Sequence, residues 1–117
     1  MLKIGEAKEI TQKQRLSWKE WSKKEGKFLL IAVFGPGRYP SWQISFDVGD
    51  ATVKRTIDPQ VGQAIIKKYK GFQGNLYIVV SKVNDVWELY LEEEQNDGWF
   101  YNLEGKNLIR RKADIPF

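Results

Sequence analysis

Cysteine and histidine are both missing from the 117 residues of this chain. Without cysteine there is no disulfide framework, no thiolate nucleophile and no cysteine zinc site, and a reducing compartment fits best. Without histidine the commonest general base, the commonest metal ligand and every Ser-His or Cys-His arrangement are excluded. Long apolar runs are missing too. No window approaches the roughly 20 apolar residues of a membrane span, and Met1-Leu2-Lys3-Ile4-Gly5-Glu6 does not open a signal peptide. The expectation is a cytoplasmic domain that is not an enzyme. Basic residues are absent from Val83 to Gly105, where Asp85, Glu88, Glu92, Glu93, Glu94, Asp97 and Glu104 accumulate, so a polyanion should avoid that side.

What is present points to a single domain with a generous aromatic supply. Five Trp, five Tyr and six Phe accompany a net charge of +4, a combination that suits a polyanionic partner. Residues 1–27 form a polar, Lys-rich arm or short helix, with Ser17 and Glu20 spaced as a capping box. Phe28 to Phe34 is a continuous apolar run between glycines, the pattern of a strand buried on both faces. Gly35-Pro36-Gly37-Arg38-Tyr39-Pro40-Ser41 is a loop that places Arg38 and Tyr39 at its tip.

Trp42 to Val48 alternates, with Trp42, Ile44, Phe46 and Val48 on one face and Gln43, Ser45 and Asp47 on the other. A third strand runs from Thr52 to Ile57, with Lys54 on its polar side and Arg55 opposite. Asp58-Pro59 starts a helix that carries Val61, Ile65, Ile66 and Tyr69 at helical spacing and ends at Gly71. Leu76 to Val83 and Val86 to Glu92 form a hairpin across Asn84-Asp85, followed by a short segment around Trp99 to Leu103.

Three meander strands, a helix and a returning hairpin give a mainly β (α+β) fold. The element order is that of an oligonucleotide-binding five-stranded barrel with one helix between strands 3 and 4. The alternative is an open curved sheet, PC4-like or Whirly-like. The domain is expected to span 28–105, with 106–117 as a C-terminal tail.

Candidate nucleic-acid contacts follow from interleaved rings and cations: Arg15, Trp18, Lys19 and Trp21 in the arm, Arg38 and Tyr39 in the loop, Lys54 and Arg55 on the third strand, and Tyr77. Single-strand binders need this mixture, because bases stack on exposed rings while Lys and Arg track phosphates. Glu92-Glu93-Glu94 on a strand splits across two faces and does not converge on one ion. No metal, cofactor or catalytic residue is expected.

The segment Asp114-Ile115-Pro116-Phe117 resembles the C-terminal tip of bacterial single-stranded DNA-binding proteins. That resemblance implies a docking role for Asp114, Ile115, Pro116 and Phe117 toward replication or repair enzymes. Arg110-Arg111-Lys112-Ala113 stands where the family carries acidic residues. The function expected is therefore a non-sequence-specific single-stranded DNA-binding protein, of a phage or mobile element, with an exposed edge strand suited to homodimer formation. Two rivals remain: an RNA-binding module of similar fold, and a protein-interaction adaptor that binds no nucleic acid.

Overall fold

The computed structural model describes residues 2–6, 26–37, 40–83 and 86–113. Within them the elements are β1 (Leu2–Glu6), β2 (Gly26–Phe34), β3 (Trp42–Val48), β4 (Ala51–Ile57), α1 (Pro59–Tyr69), β5 (Gln73–Val83), β6 (Val86–Glu104) and β7 (Asn107–Lys112). The strands join one antiparallel sheet in the order β1-β6-β5-β2-β3-β4, and β7 ladders to both β2 and β6. The circuit β2-β5-β6-β7 therefore closes on itself. Closure makes this a small barrel of the oligonucleotide-binding type, not an open curved sheet. Counting β2 to β6 as the five core strands, the helix stands between the third and fourth, as expected.

Alternation decides which side chains fill the barrel. Ile44 and Phe46 of β3 and Leu76, Ile78 and Val80 of β5 are buried in one cluster with Leu30, Leu91 and Leu108. The register of β2 on β3 shifts between Leu30 and Ala32. This bulge keeps Leu30 and Val33 inside and turns Ala32 and Phe34 to the outer face. It also lets one strand serve two neighbours: Gly26 to Leu29 pair with β5, while Ala32 and Val33 pair with β7. The Phe28 to Phe34 run is consequently not buried on both faces throughout, and Phe34 is only half-buried.

The helix forms where the chain supplies its cap. Asp58 accepts from the Gln60 N–H at 3.4 Å, Pro59 occupies the first turn, and Gly71 leaves the helix at φ +79°. Its apolar stripe buries Ile65 and Tyr69 against the barrel, and Lys67, Lys68 and Lys70 face solvent. Gly62 lies against the Trp42 ring so closely that a methyl group there overlaps it. Helix propensity and packing thus give opposite signs for Gly62→Ala. Propensity predicts a gain of about 1 kcal/mol, whereas overpacking costs about 1–3 kcal/mol. We expect a net loss, read as a lower melting temperature than that of a Gln63→Ala control on the exposed face; a rise would show that Trp42 yields freely.

One buried hydroxyl joins three strands. Tyr101 of β6 donates to the Leu30 carbonyl of β2 at 2.6 Å and accepts from the Leu76 N–H of β5 at 3.0 Å. Its ring is fully buried, and burial pushes its pKa up to about 12. Beside it, Phe72 packs between Tyr69 and Tyr101.

Three boundaries differ from those expected. Leu2–Glu6 is a strand laddered to Glu88–Leu91, so the arm does not begin as loose chain or helix. Asn107–Lys112 is not tail but the strand that closes the barrel, where Leu108 is buried, Arg110 is half-buried against the Trp99 ring and donates to Asn75, and Arg111 and Lys112 are exposed. The short segment around Trp99 to Leu103 is the second half of one long strand. β6 leaves β5 near Gln95 and continues along β7 from Trp99. Among the described residues no helix is long and apolar enough to cross a membrane.

Candidate nucleic-acid interface

Strand pairing builds the outer face of the barrel row by row. Residues directly opposite in antiparallel strands share a face. One row runs Lys54, Ser45, Ala32, Ile109 and Asn102 across β4, β3, β2, β7 and β6. The next runs Thr56, Gln43 and Phe34. Ala32 and Ser45 are each 2% exposed although they point outward, so the larger side chains around them close over a floor of small residues.

Lys54 crosses that floor. Its ammonium stands 5.1 Å from the centre of the Phe34 ring, which requires the stem to lie across β3. At an exposed site such a contact stabilises by about 0.5–1 kcal/mol. Beside this pair opens a cleft of about 260 Å³ lined by Phe34, Gln43, Lys54 and Asn107 together with Gly35, Gly37 and Ser41 of the loop. Asn107 anchors that loop by accepting from the Gly35 N–H at 3.1 Å. Among the described residues no carboxylate lines the cleft.

Lys54 is the expected contact that the structure brings into this arrangement. Its neighbour Arg55 points to the opposite face and folds back to donate to the Lys54 carbonyl at 2.8 Å. Tyr77 lies on β5, three strands from β4 and so roughly 14 Å away across the sheet. Its hydroxyl donates to Glu94 at 3.2 Å, and Lys27 covers its ring at 4.4 Å while pairing with Glu92 at 3.0 Å. Burial and then Glu94 raise the Tyr77 pKa, and the Glu92 contact raises that of Lys27. A phosphate brought to Tyr77 would meet two carboxylates. Trp18, Trp21, Arg15, Lys19, Arg38 and Tyr39 lie outside the described residues, as do Asp114, Ile115, Pro116 and Phe117.

The acidic strand is occupied by its own partners. Glu93 accepts from the Tyr69 hydroxyl at 3.1 Å, Glu94 from Asn75 and Tyr77, and Glu104 pairs with Arg111 through two contacts of 2.8 Å. The Arg111 guanidinium holds the Glu104 carboxyl below its ordinary range. Glu92 and Glu94 share the outer face while Glu93 turns toward the helix, which is the split expected of consecutive strand residues.

Phe34 and Asn107, which line the cleft, were not among the residues expected from the sequence. Phe34 closes an apolar run that reads as core, and only the bulge turns it out. Its position immediately before Gly35-Pro36-Gly37 was the available signal, because a large ring at a strand end beside a glycine loop is well placed for a ligand. Asn107 follows Gly105-Lys106 and reads simply as a turn residue.

The fold and this face define a small barrel of the oligonucleotide-binding type that carries Lys54 and Phe34 on the outer surface of β4 and β2, on either side of β3. Comparison with known protein families, curated proteins and solved structures found no match for the chain.

Proposed function

We propose that the chain binds single-stranded nucleic acid, DNA in the first instance, without strong sequence preference, on the outer face of β3 and β4. The observation that carries this reading is the Lys54–Phe34 pair beside a cleft whose described lining holds no carboxylate. It lies on the strand face and next to the first inter-strand loop that barrels of this type use for oligonucleotides. The ring offers a stacking surface and the ammonium a phosphate contact, the two elements that single-strand grooves combine. In sequence Arg38 and Tyr39 stand between Gly37 and Ser41 of the cleft lining. Most acidic residues of the second half of the chain lie on β6, while on the face of β3 itself Asp47 accepts from the Thr52 hydroxyl at 2.8 Å. Docking of replication or repair enzymes through Asp114 to Phe117, and a cytoplasmic setting, belong to the same proposal and rest on the motif and the cysteine-free composition.

The test is a fluorescence-anisotropy titration of labelled single-stranded and duplex oligonucleotides at two salt concentrations. Single strands bind more tightly than duplex, and log K falls with log salt by about 0.7 for each phosphate contacted. Lys54→Ala reduces that slope by about 0.7, the share of one phosphate. RNA of the same sequence, run in parallel, separates the RNA-binding reading through its 2′-hydroxyls. Absence of binding to every oligonucleotide at low salt would sink the proposal and leave a protein-interaction adaptor.

A further inference from the structure

We infer that the strand-binding face continues across the barrel onto β7, where Arg111 is a second phosphate contact and Glu104 is a built-in competitor that holds it until nucleic acid arrives. The inference rests on the nucleic-acid reading above and carries the site beyond β3 and β4.

Register places Arg111 on the same face as the Lys54 row. In that row Ala32 of β2 stands opposite Ile109 of β7. Arg111 is two residues further along β7, so alternation returns it to the side that Ile109 presents. Phe100 of β6 stands opposite Arg111 and is half-buried. A cation and a ring thus stand together at both ends of one face: Lys54 with Phe34, and Arg111 with Phe100. Between them lie Ser45, Ala32 and Ile109, which carry no charge. Three strand spacings separate β4 from β7, roughly 14 Å. Several nucleotides cross that span, within the ~4–16 that one such barrel covers. The carboxylates on this face of β3 and of the second half of β6 are Asp47, committed to the Thr52 hydroxyl, and Glu104.

Glu104 presents to Arg111 what a phosphate presents. Its two carboxylate oxygens accept from Nε and Nη2 at 2.8 Å each, the paired contact that a guanidinium makes equally with two phosphate oxygens. The pair therefore holds the guanidinium fork ready for another anion. The Arg111 side chain is 54% exposed, and an exposed ion pair is weak, so exchanging one anion for another costs little. Glu104 springs from a position opposite Asn107, which lines the cleft, and reaches along the face to Arg111. It opposes a polyanion twice, by repelling it and by holding the cation.

The experiment uses the full chain and a thymidylate oligomer of about 12 nucleotides, long enough to cover the face. Glu104→Gln keeps the shape and removes the charge, and it tightens binding at low salt by about 3- to 5-fold. Asp97→Asn, which removes an exposed carboxylate from the same strand, changes binding by less than about twofold. Arg111→Ala weakens binding and lowers the salt slope by about 0.7, the share of one phosphate. In the Arg111→Ala background, Glu104→Gln tightens binding no more than the Asp97 control does. Tightening by Glu104→Gln that only equals the control, or that persists at full size without Arg111, overturns the inference and leaves the nucleic-acid reading in place. Failure of the native chain to bind any oligomer overturns both.

Discussion

Tyr101→Phe is expected to lower the unfolding free energy by about 2–3 kcal/mol. The substitution removes one oxygen and leaves ring packing in place, yet that oxygen serves the Leu76 N–H and the Leu30 carbonyl. Leu76 and Leu30 are both fully buried, so no water replaces the lost partner, and the stranded N–H bears most of the cost. With a urea dependence of about 1–3 kcal/mol per molar, the midpoint should fall by roughly 1–2 M. A loss below about 0.5 kcal/mol would mean that the hydroxyl does not bridge the strands.

The same hydroxyl gives the protein an alkaline limit. Its pKa in the folded chain is about 12, against an ordinary 10.0 for tyrosine. A folded pKa above the unfolded one stabilises fully below the unfolded value, and that contribution is lost as pH rises through the folded value. Two units correspond to about 2.7 kcal/mol, lost between roughly pH 10 and pH 12. Tyr69, raised by burial and by Glu93, acts in the same direction. Denaturation measured from pH 9 to pH 12 should show a shallower decline in Tyr101→Phe than in the native chain.

The second large effect concerns binding. Phe34→Ala is expected to reduce single-strand affinity by about 10- to 100-fold, the worth of one base stacked on a ring. Stacking is not ionic, so the reduction should be nearly equal at low and moderate salt. Lys54→Ala should do less harm, and the harm should shrink as salt rises, because it removes a phosphate contact. Tyr77→Ala provides the contrast: its hydroxyl is committed to Glu94, and Glu92 stands beside it on Lys27, so a phosphate meets two carboxylates there and binding changes by less than about twofold. Equal losses in Phe34→Ala and Tyr77→Ala would move the site to the β5 face. All three proteins need matched melting curves, since Phe34 is half-buried.

How much of this was legible depended on whether a residue's partner was local. Asp58, Pro59 and Gly71 announce the helix through contacts within a few residues, and the alternation of Trp42 to Val48 correctly separates Ile44 and Phe46 from Gln43 and Ser45. Val83 pairs with Val86, so that hairpin was legible too. The losses occurred where pairing is distant. Lys3 and Gly5 look polar and loop-like because what makes them strand is β6, more than eighty positions downstream. Asn107 to Lys112 reads as a basic tail because only Leu108 in it is fully buried. Phe34 was hidden by a different cause: a bulge rotates a strand without leaving any mark in hydrophobic periodicity. The candidate site was therefore only partly visible. Lys54 could be found from its strand's polar side, but the ring and the carboxamide beside it depend on the bulge and on the closing strand.

The double duty of β2 also governs how the molecule assembles. Its contact with the closing strand joins groups 72 residues apart at Gly35 and Asn107, and Tyr101 ties back to Leu30 across 71. Loop-closure entropy of that size must be met before the reward arrives, which places the protein among slow folders, in milliseconds to seconds. During synthesis the meander and helix can take shape early, yet the second half of β2 keeps a bare edge until Leu108 and Ile109 emerge. For that interval the strand that later turns Phe34 to the outer face is open to pairing with a neighbour.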